Sequence, residues 1–298
     1  MNETIDKLFF FEKYHLDSAF LESGYQWEEV VDIVDDYIQR EESIKEAGNE
    51  LFNKMLSLTE IAYIKKRTKH FEHLAEKVIR KAFENKRANV KRISVNDYLE
   101  RITDLIGLRL IHVFKENWCE LHETLTTIFH EFEDKPCVNL LKRDDDELYS
   151  KYKDSLQFCY RDSGYRSVHY LVKQNGYIAE IQVRTIFQEG WGEVEHALVY
   201  PSRQNDTLLR QYSDILNHVT DVADTISSKI RQYLPVHEQR LAKEQSIESN
   251  IRALSILVND CSLNKEVKDK IEMVIKNIRT DKLDLIPFME IVTEIEDN

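Results

Sequence analysis

The fold is decided by residues 164–185, Gly164-Tyr165-Arg166-Ser167-Val168-His169-Tyr170-Leu171-Val172-Lys173-Gln174-Asn175-Gly176-Tyr177-Ile178-Ala179-Glu180-Ile181-Gln182-Val183-Arg184-Thr185. Residues 166–173 and 177–183 each read as a strand. Asn175-Gly176 is a two-residue turn signal, so the segment reads as a β-hairpin. One end carries the Tyr165 ring, the Arg166 guanidinium and the Ser167 hydroxyl. The returning strand carries Glu180, Gln182 and Arg184 on one face, with Ile181 and Val183 on the other. Taken alone, that polar face reads as solvent-facing slightly more readily than as the wall of a site. An aromatic ring, a guanidinium and a carboxylate together suit a base, a phosphate and a metal ion.

Upstream lies Asp104-Leu105-Ile106-Gly107-Leu108-Arg109, the start of an apolar run to Phe114 that reads as a buried strand. A carboxylate at the mouth of such a strand must be solvated, paired or metal-bound. Arg109 shares a face with Gly107 and Leu105, and a buried arginine needs an anionic partner. Lys65-Lys66-Arg67-Thr68-Lys69 concentrates positive charge, and Lys77, Arg80 and Lys81 follow at helical intervals. Helical periodicity covers residues 26–58, 72–84 and 117–132, and a further helix runs from Thr185 to about Tyr200, closed by Pro201. Within that helix Glu195-His196 reads as a salt link or a core histidine. Residues 133–163 lack periodicity, and Asp144-Asp145-Asp146 reads as a solvated loop rather than a metal cluster. Residues 206–232 and 238–295 read as two long amphipathic helices ending in an acidic tail.

The chain has 298 residues, enough for one or two domains, with 32% charged and 42% hydrophobic residues. Seven glycines and four prolines argue against a turn-dense all-β fold. No apolar run reaches membrane length and the N-terminus lacks a basic signal start, so a cytoplasmic protein without a membrane partner is expected. Cys119, Cys137, Cys159 and Cys261 are scattered and are expected to be reduced. The net charge of −13 opposes broad nucleic-acid binding, so no stable nucleic-acid partner is expected. The element order gives an α+β fold, a mixed β-sheet flanked by helices with helical N- and C-terminal extensions. Those extensions suit a homo-oligomer surface, a cap or a regulatory arm.

The set DLIGLR, GYRSVH and EIQVRT, with Trp191 and Glu195-His196, resembles the synthetase domain of the RelA/SpoT family over roughly Ile61 to Tyr200. Arg67-Thr68-Lys69 followed by Lys77 is similar to that family's ATP-binding basic helix. The resemblance implies a nucleotidyltransferase-like fold and transfer of pyrophosphate from ATP to the 3′-hydroxyl of GDP or GTP, with Mg²⁺ as cofactor. It divides the chain into a helical extension (1–60), a synthetase domain (61–205) and a helical C-terminal region (206–298). It implies that Asp104 holds Mg²⁺ and that Glu180 is second ligand or base. It assigns Arg67, Lys69, Lys77 and Arg109 to ATP, and Tyr165, His169 and Gln182 to the acceptor. The chain departs from the family pattern at His73, Val168 and Glu189, where a small hydroxyl residue, an aromatic and an asparagine are common. It contains no His-Asp dipeptide, the mark of the family's hydrolase domain, so a small synthetase-only member is expected. Two other readings stand beside this one. One is a toxic relative that pyrophosphorylates the tRNA 3′ end or makes adenosine alarmones. The other is a nucleotide-binding module without activity.

Overall fold

The computed structural model describes residues 5–87, 91–142, 144, 147–198, 206–259 and 265–280. Two compact units emerge, Met1–Ser228 and Lys229–Asn298. The first begins with α1 (Lys7–Tyr14), α2 (Asp17–Ser23) and α3 (Trp27–Met55). Trp27, Val30, Ile33, Val34, Tyr37, Ile44, Leu51 and Met55 recur at helical spacing on α3, and all are buried. The start of α3 is fixed by the Glu29 carboxylate, which accepts from the Gln26 amide at 2.8 Å.

Next come β1 (Tyr63–Thr68), α4 (Phe71–Arg87), α5 (Tyr98–Arg101) and β2 (Ile106–His112). α6 (Asn117–Ile128), β3 (Cys137–Leu140), a 3₁₀ helix (Glu147–Ser155) and β4 (Gln157–Tyr160) follow. β5 (Ser167–Gln174), β6 (Tyr177–Thr185) and α7 (Ile186–Leu198) complete the order up to α8 (Thr207–Val258) and α9 (Lys265–Thr280). The six strands form one mixed sheet in the order β1-β2-β6-β5-β3-β4. β2 and β6 run parallel at its centre, and β2 is buried almost throughout, as its continuous apolar sequence requires.

The hairpin forms as expected. Asn175 and Gly176 both have positive φ, 51° and 84°, the signature of the tight turn that matches strand twist. Its tip is tied to α3, because Asn175 Nδ2 and Gln174 Nε2 each donate to Glu50 Oε2 at 2.9 Å. Trp118 Nε1 of α6 donates to the Tyr170 hydroxyl of β5 at 3.0 Å, which pins that helix to the sheet. Thr185 and Gln188 cap α7 reciprocally, each side chain accepting from the other's backbone amide, at 3.1 and 3.0 Å.

Several expectations are corrected. The basic segment Lys65–Thr68 lies on the edge strand β1, antiparallel to β2, whereas Lys77, Arg80 and Lys81 sit on the helix α4. Residues 133–163 hold two short strands, and parallel pairing of β3 with β4 brings Cys137 and Cys159 together as a disulfide, where free thiols were expected. Cys261, Asp145, Asp146, Tyr200, Pro201 and residues 281–298 lie outside the described residues. Asp144 is not solvated: it accepts from Arg166 Nε and Nη2 at 2.7 and 2.9 Å. α8 is continuous through Pro235, where a break between two helices was expected.

The first part of α8 reverses the usual pattern. Its polar Asn217, Asp224 and Ser228 are buried, whereas Leu208, Tyr212, Ile215, Val219, Val222 and Ile226 are exposed. Asp224 Oδ2 accepts from the Thr185 hydroxyl at 2.7 Å, and its Oδ1 has no hydrogen-bond partner. Burial pushes its carboxyl up to about 6; the Thr185 bond, Lys115 and Arg166 oppose that shift, while Asp221 adds to it. A folded value above the unfolded one means that this group favours folding at low pH. Its contribution is full below about pH 4 and is lost as pH rises through about 6. Asp224→Asn keeps an acceptor for Thr185 and removes the charge. Thermal melts at about pH 8 should show it more stable than wild type by about 1–3 kcal/mol, with the gap closing near pH 4. A constant gap across that range would contradict the assignment. In the second unit, Ile251 and Ile275 are buried, and Tyr233 stacks on His237 at 5.7 Å.

Candidate active site

The backbone bond from Lys69 N to Leu105 O, 2.9 Å, extends the β1–β2 ladder and sets the basic segment beside Asp104. Lys69 Nζ donates to Asp104 Oδ2 at 2.8 Å. Lys77 Nζ reaches from α4 to within 2.8 Å of Oδ1, an ion-pair contact off the hydrogen-bonding angle. Arg67 Nη2 stands 3.9 Å from Oδ2. Burial favours the neutral acid, but the charges of Lys69 and Lys77 outweigh it and hold the Asp104 carboxyl well below the usual range. Lys69 itself is shifted down by its burial, against the pull of Asp104.

The parallel β2–β6 register sets Gly107 opposite Glu180 and Arg109 opposite Gln182. Glu180 is held on both oxygens: His169 Nδ1 lies 3.0 Å from Oε1, and Gln182 Nε2 donates to Oε2 at 2.6 Å. Burial and the Asp104 charge both oppose ionisation of Glu180, yet the His169 contact, aided by Gln182, brings it down to about 2. That repulsion from Asp104 marks the two carboxylates as electrostatic neighbours.

His169 Nε2 lies 2.9 Å from the Tyr165 hydroxyl. Arg184 donates to that hydroxyl, to Gln182 Oε1 at 2.7 Å and to Glu189 Oε2 at 3.2 Å. One tautomer satisfies the chain: Tyr165 donates to Nε2, and Nδ1–H donates to Glu180. The Arg184 guanidinium also lies 4.7 Å from the centroid of the Tyr165 ring. The Glu180–Gln182–Arg184 face is thus a wall of buried groups rather than a solvent-facing strand.

A cleft of about 190 Å³ opens beside these groups, lined by Lys65, Arg67, Gly107, Leu108, Arg109, Gln182, Glu193 and His196. A Cβ on Gly107 would lie 3.1 Å from both Cγ and Nε of Arg67, so a larger residue would push the Arg67 side chain aside. Arg109 donates to Glu189 Oε1 at 2.7 Å and also to Glu193. Lys65 donates to Glu193 Oε1 at 3.0 Å. The bond from Lys65, with those from Arg109, holds the Glu193 carboxyl down at about 2.

Of the nine residues singled out from the sequence, Arg67, Lys69 and Lys77 gather on Asp104, and Tyr165, His169 and Gln182 gather with Glu180. Arg109 shares the cleft with Arg67. Lys65, Arg184, Glu189, Glu193 and His196 join them without having been assigned roles. The signal was present for three of these, since 189, 193 and 196 fall on one helical face. His196 borders the cleft rather than the core.

Among the described residues no group of three or more His, Cys, Asp or Glu side chains is gathered to hold a metal. Two neighbouring ionised carboxylates still fit a hard cation such as Mg²⁺. That ion commonly takes one or two protein carboxylates and completes its shell with phosphate and water. Lys69 and Lys77 each approach one Asp104 oxygen at 2.8 Å, so an ion bound there would share the carboxylate with both ammonium groups.

Residues 66–205 match the family model described as "Region found in RelA / SpoT proteins". The chain is 29% identical over 178 residues to GTP pyrophosphokinase YwaC of Bacillus subtilis (strain 168), covering 57% of this chain and 72% of that relative. Among solved structures it is similar to small alarmone synthetase 1 from Bacillus subtilis, with 21% identity, TM-score 0.45, and coverage of 67% of this chain and 95% of that one. It is also similar to a GTP pyrophosphokinase family protein from Streptococcus pneumoniae, with 23% identity, TM-score 0.43, and coverage of 70% and 94%.

Proposed function

We propose, from the match of residues 66–205 to the region found in RelA/SpoT proteins, that this chain transfers the β,γ-pyrophosphoryl group of ATP to the 3′-hydroxyl of GDP or GTP. The observation that carries the reading is the pair of ionised carboxylates, buried Asp104 and part-buried Glu180, beside a cationic cleft and an aromatic ring. Residues 61–205 form the synthetase domain in this reading, between the helical regions 1–60 and 206–298.

Arg67, Lys69, Lys77 and Arg109 bind the ATP phosphates. In the chain by itself Glu189 and Glu193 occupy the Arg109 guanidinium, and a polyphosphate replaces them there with two parallel hydrogen bonds. The cations then hold the charge that spreads over the transferring group. Glu180, held ionised by the His169 contact, serves as second ligand or as base for the 3′-hydroxyl. His169 and Gln182 fix its two oxygens and line the acceptor pocket. Mg²⁺ held by Asp104 and Glu180 would polarise the phosphoryl oxygens and align the reactants.

Tyr165 stacks on the acceptor base, its ring held by Arg184 and by His169. Tyr165→Ala should weaken the acceptor by about 1–3 kcal/mol while the KM for ATP stays nearly constant. Tyr165→Phe keeps the ring and should retain most acceptor affinity. Equal weakening of both nucleotides by Tyr165→Ala contradicts the placement.

The exposed face of α8 supports self-association. Leu208, Tyr212, Ile215, Val219, Val222 and Ile226 alternate at spacings of four and three, the seam of a left-handed helix pair. A seam of this kind complements itself, so the occupant is a second copy of this chain. The face offers roughly 600 Å² per copy, near the lower bound of a stable interface. Sedimentation should show a dimer or larger form that Ile215→Lys/Val219→Lys dissociates; a wild-type monomer at all concentrations contradicts it.

The reaction itself is tested by nucleotide chromatography after incubation with ATP, Mg²⁺ and GDP, GTP, ADP or tRNA in turn. Pyrophosphorylated GDP or GTP is the expected product. Modified tRNA or adenosine products alone would assign the chain to a toxic relative, and binding without AMP release would make it a sensor.

A further inference from the structure

The family region ends at residue 205, and α8 begins at Thr207. Yet one α8 side chain grips both neighbours of Tyr165. Asn217 Nδ2 donates to Gly164 O at 2.8 Å, and Arg166 Nη1 donates to Asn217 Oδ1 at 2.6 Å. The two bonds fix the amide orientation, since only the NH₂ donates to a carbonyl and only the oxygen accepts from a guanidinium. Asn217 is buried, as is Arg166. Gly164 has φ +83°, and a Cβ there would lie 2.9 Å from Asn217 Nδ2. The backbone therefore adopts a glycine conformation against the Asn217 amide. Arg166 is fixed further by Asp144 and by Asp221 at 3.7 Å. A second tie, from Thr185 to Asp224, holds the end of β6 next to Arg184, which itself bonds Tyr165.

Buried polar side chains on a helix whose outer face is apolar call for a specific purpose, because an apolar inner face would pack without the need to satisfy hydrogen bonds. We propose that Asn217 is a positioning residue for the acceptor base: through Gly164 and Arg166 it holds Tyr165 at the angle required for stacking, so that the functional unit extends past residue 205 into α8. The proposal rests on the functional reading above for the identity of the base, and on geometry alone for the clamp.

Asn217→Asp removes the donor to Gly164 O and keeps the acceptor for Arg166, so the fold should survive. Two readouts are taken on the full chain. Amide hydrogen exchange at Tyr165–Ser167 should quicken by about tenfold or more, while α3 stays as protected as in wild type. The KM for the guanine acceptor should rise by about tenfold, with the KM for ATP within about twofold, since displacement of a positioned group acts on what it positions. Asn217→Ala should show the same split. Unchanged exchange at residues 165–167, or an equal rise in both KM values, overturns the proposal. If wild type leaves guanine nucleotides untouched, the functional reading fails; quickened exchange in Asn217→Asp would still uphold the clamp, and unchanged exchange would remove it as well.

Discussion

Glu180→Gln should lower turnover by at least ~10²-fold while leaving the fold intact, the scale expected when one preorganised charge is removed. The substitution preserves shape and deletes the charge that two neighbours hold in place. His169 Nδ1–H loses its anionic partner, and Gln182 Nε2 faces an amide instead of a carboxylate. The amide oxygen still accepts from His169 Nδ1–H, so the imidazole stays oriented between Tyr165 and position 180, while the new NH₂ faces the Gln182 NH₂ and that bond is lost. ATP affinity should change little, because the cleft cations belong to β1, β2 and α4. Steady-state kinetics with both substrates measures this. Turnover within tenfold of wild type would remove Glu180 from the reacting centre.

Asp104→Asn should cause an equal or larger loss of turnover and also a loss of stability. Lys69 and Lys77 both converge on this carboxylate from partly buried positions. Removing the anion leaves two cations without their partner, and breaking such a buried pair costs about 3–5 kcal/mol. The pH dependence has a definite sign. The folded pKa of Asp104 lies below its unfolded value, so its stabilisation is present above the unfolded pKa and is lost as pH falls through the folded one. The deficit of the variant should therefore be full at neutral pH. It should shrink in acid, and again in alkali where Lys69, already shifted down, gives up its proton. Thermal melts of both proteins across pH resolve this. A variant as stable as wild type at neutral pH would mean that the ion pairs carry no net weight.

The hairpin and β2 were legible because their signals are local: a two-residue turn with positive φ, and an uninterrupted apolar run. The helices α3, α4, α6 and α7 were legible from period alone. β1 was not, because an edge strand with exposed Lys65, Lys66 and Arg67 has no apolar alternation to read. β3 and β4 are four residues each, and their pairing brings together cysteines 22 positions apart, which no local pattern records. The polarity of the first part of α8 misleads, since the buried Asn217, Asp224 and Ser228 are hydrophilic.

In the site, Asp104 and Glu180 were legible only because several motifs occurred in the right order. The partners Glu189 and Glu193 come from α7, and their contact with Arg109 depends on how that helix crosses β2. In the proposed reading they stand in for phosphate on Arg109.

The most direct test follows the label from [γ-³²P]ATP in a reaction of the wild-type chain with Mg²⁺ and GDP. The account requires the label to appear on the guanine nucleotide, in a product carrying pyrophosphate at the 3′-hydroxyl, with one AMP formed for each. Label released as free phosphate with ADP, or retained in ATP beside unaltered GDP, would contradict it.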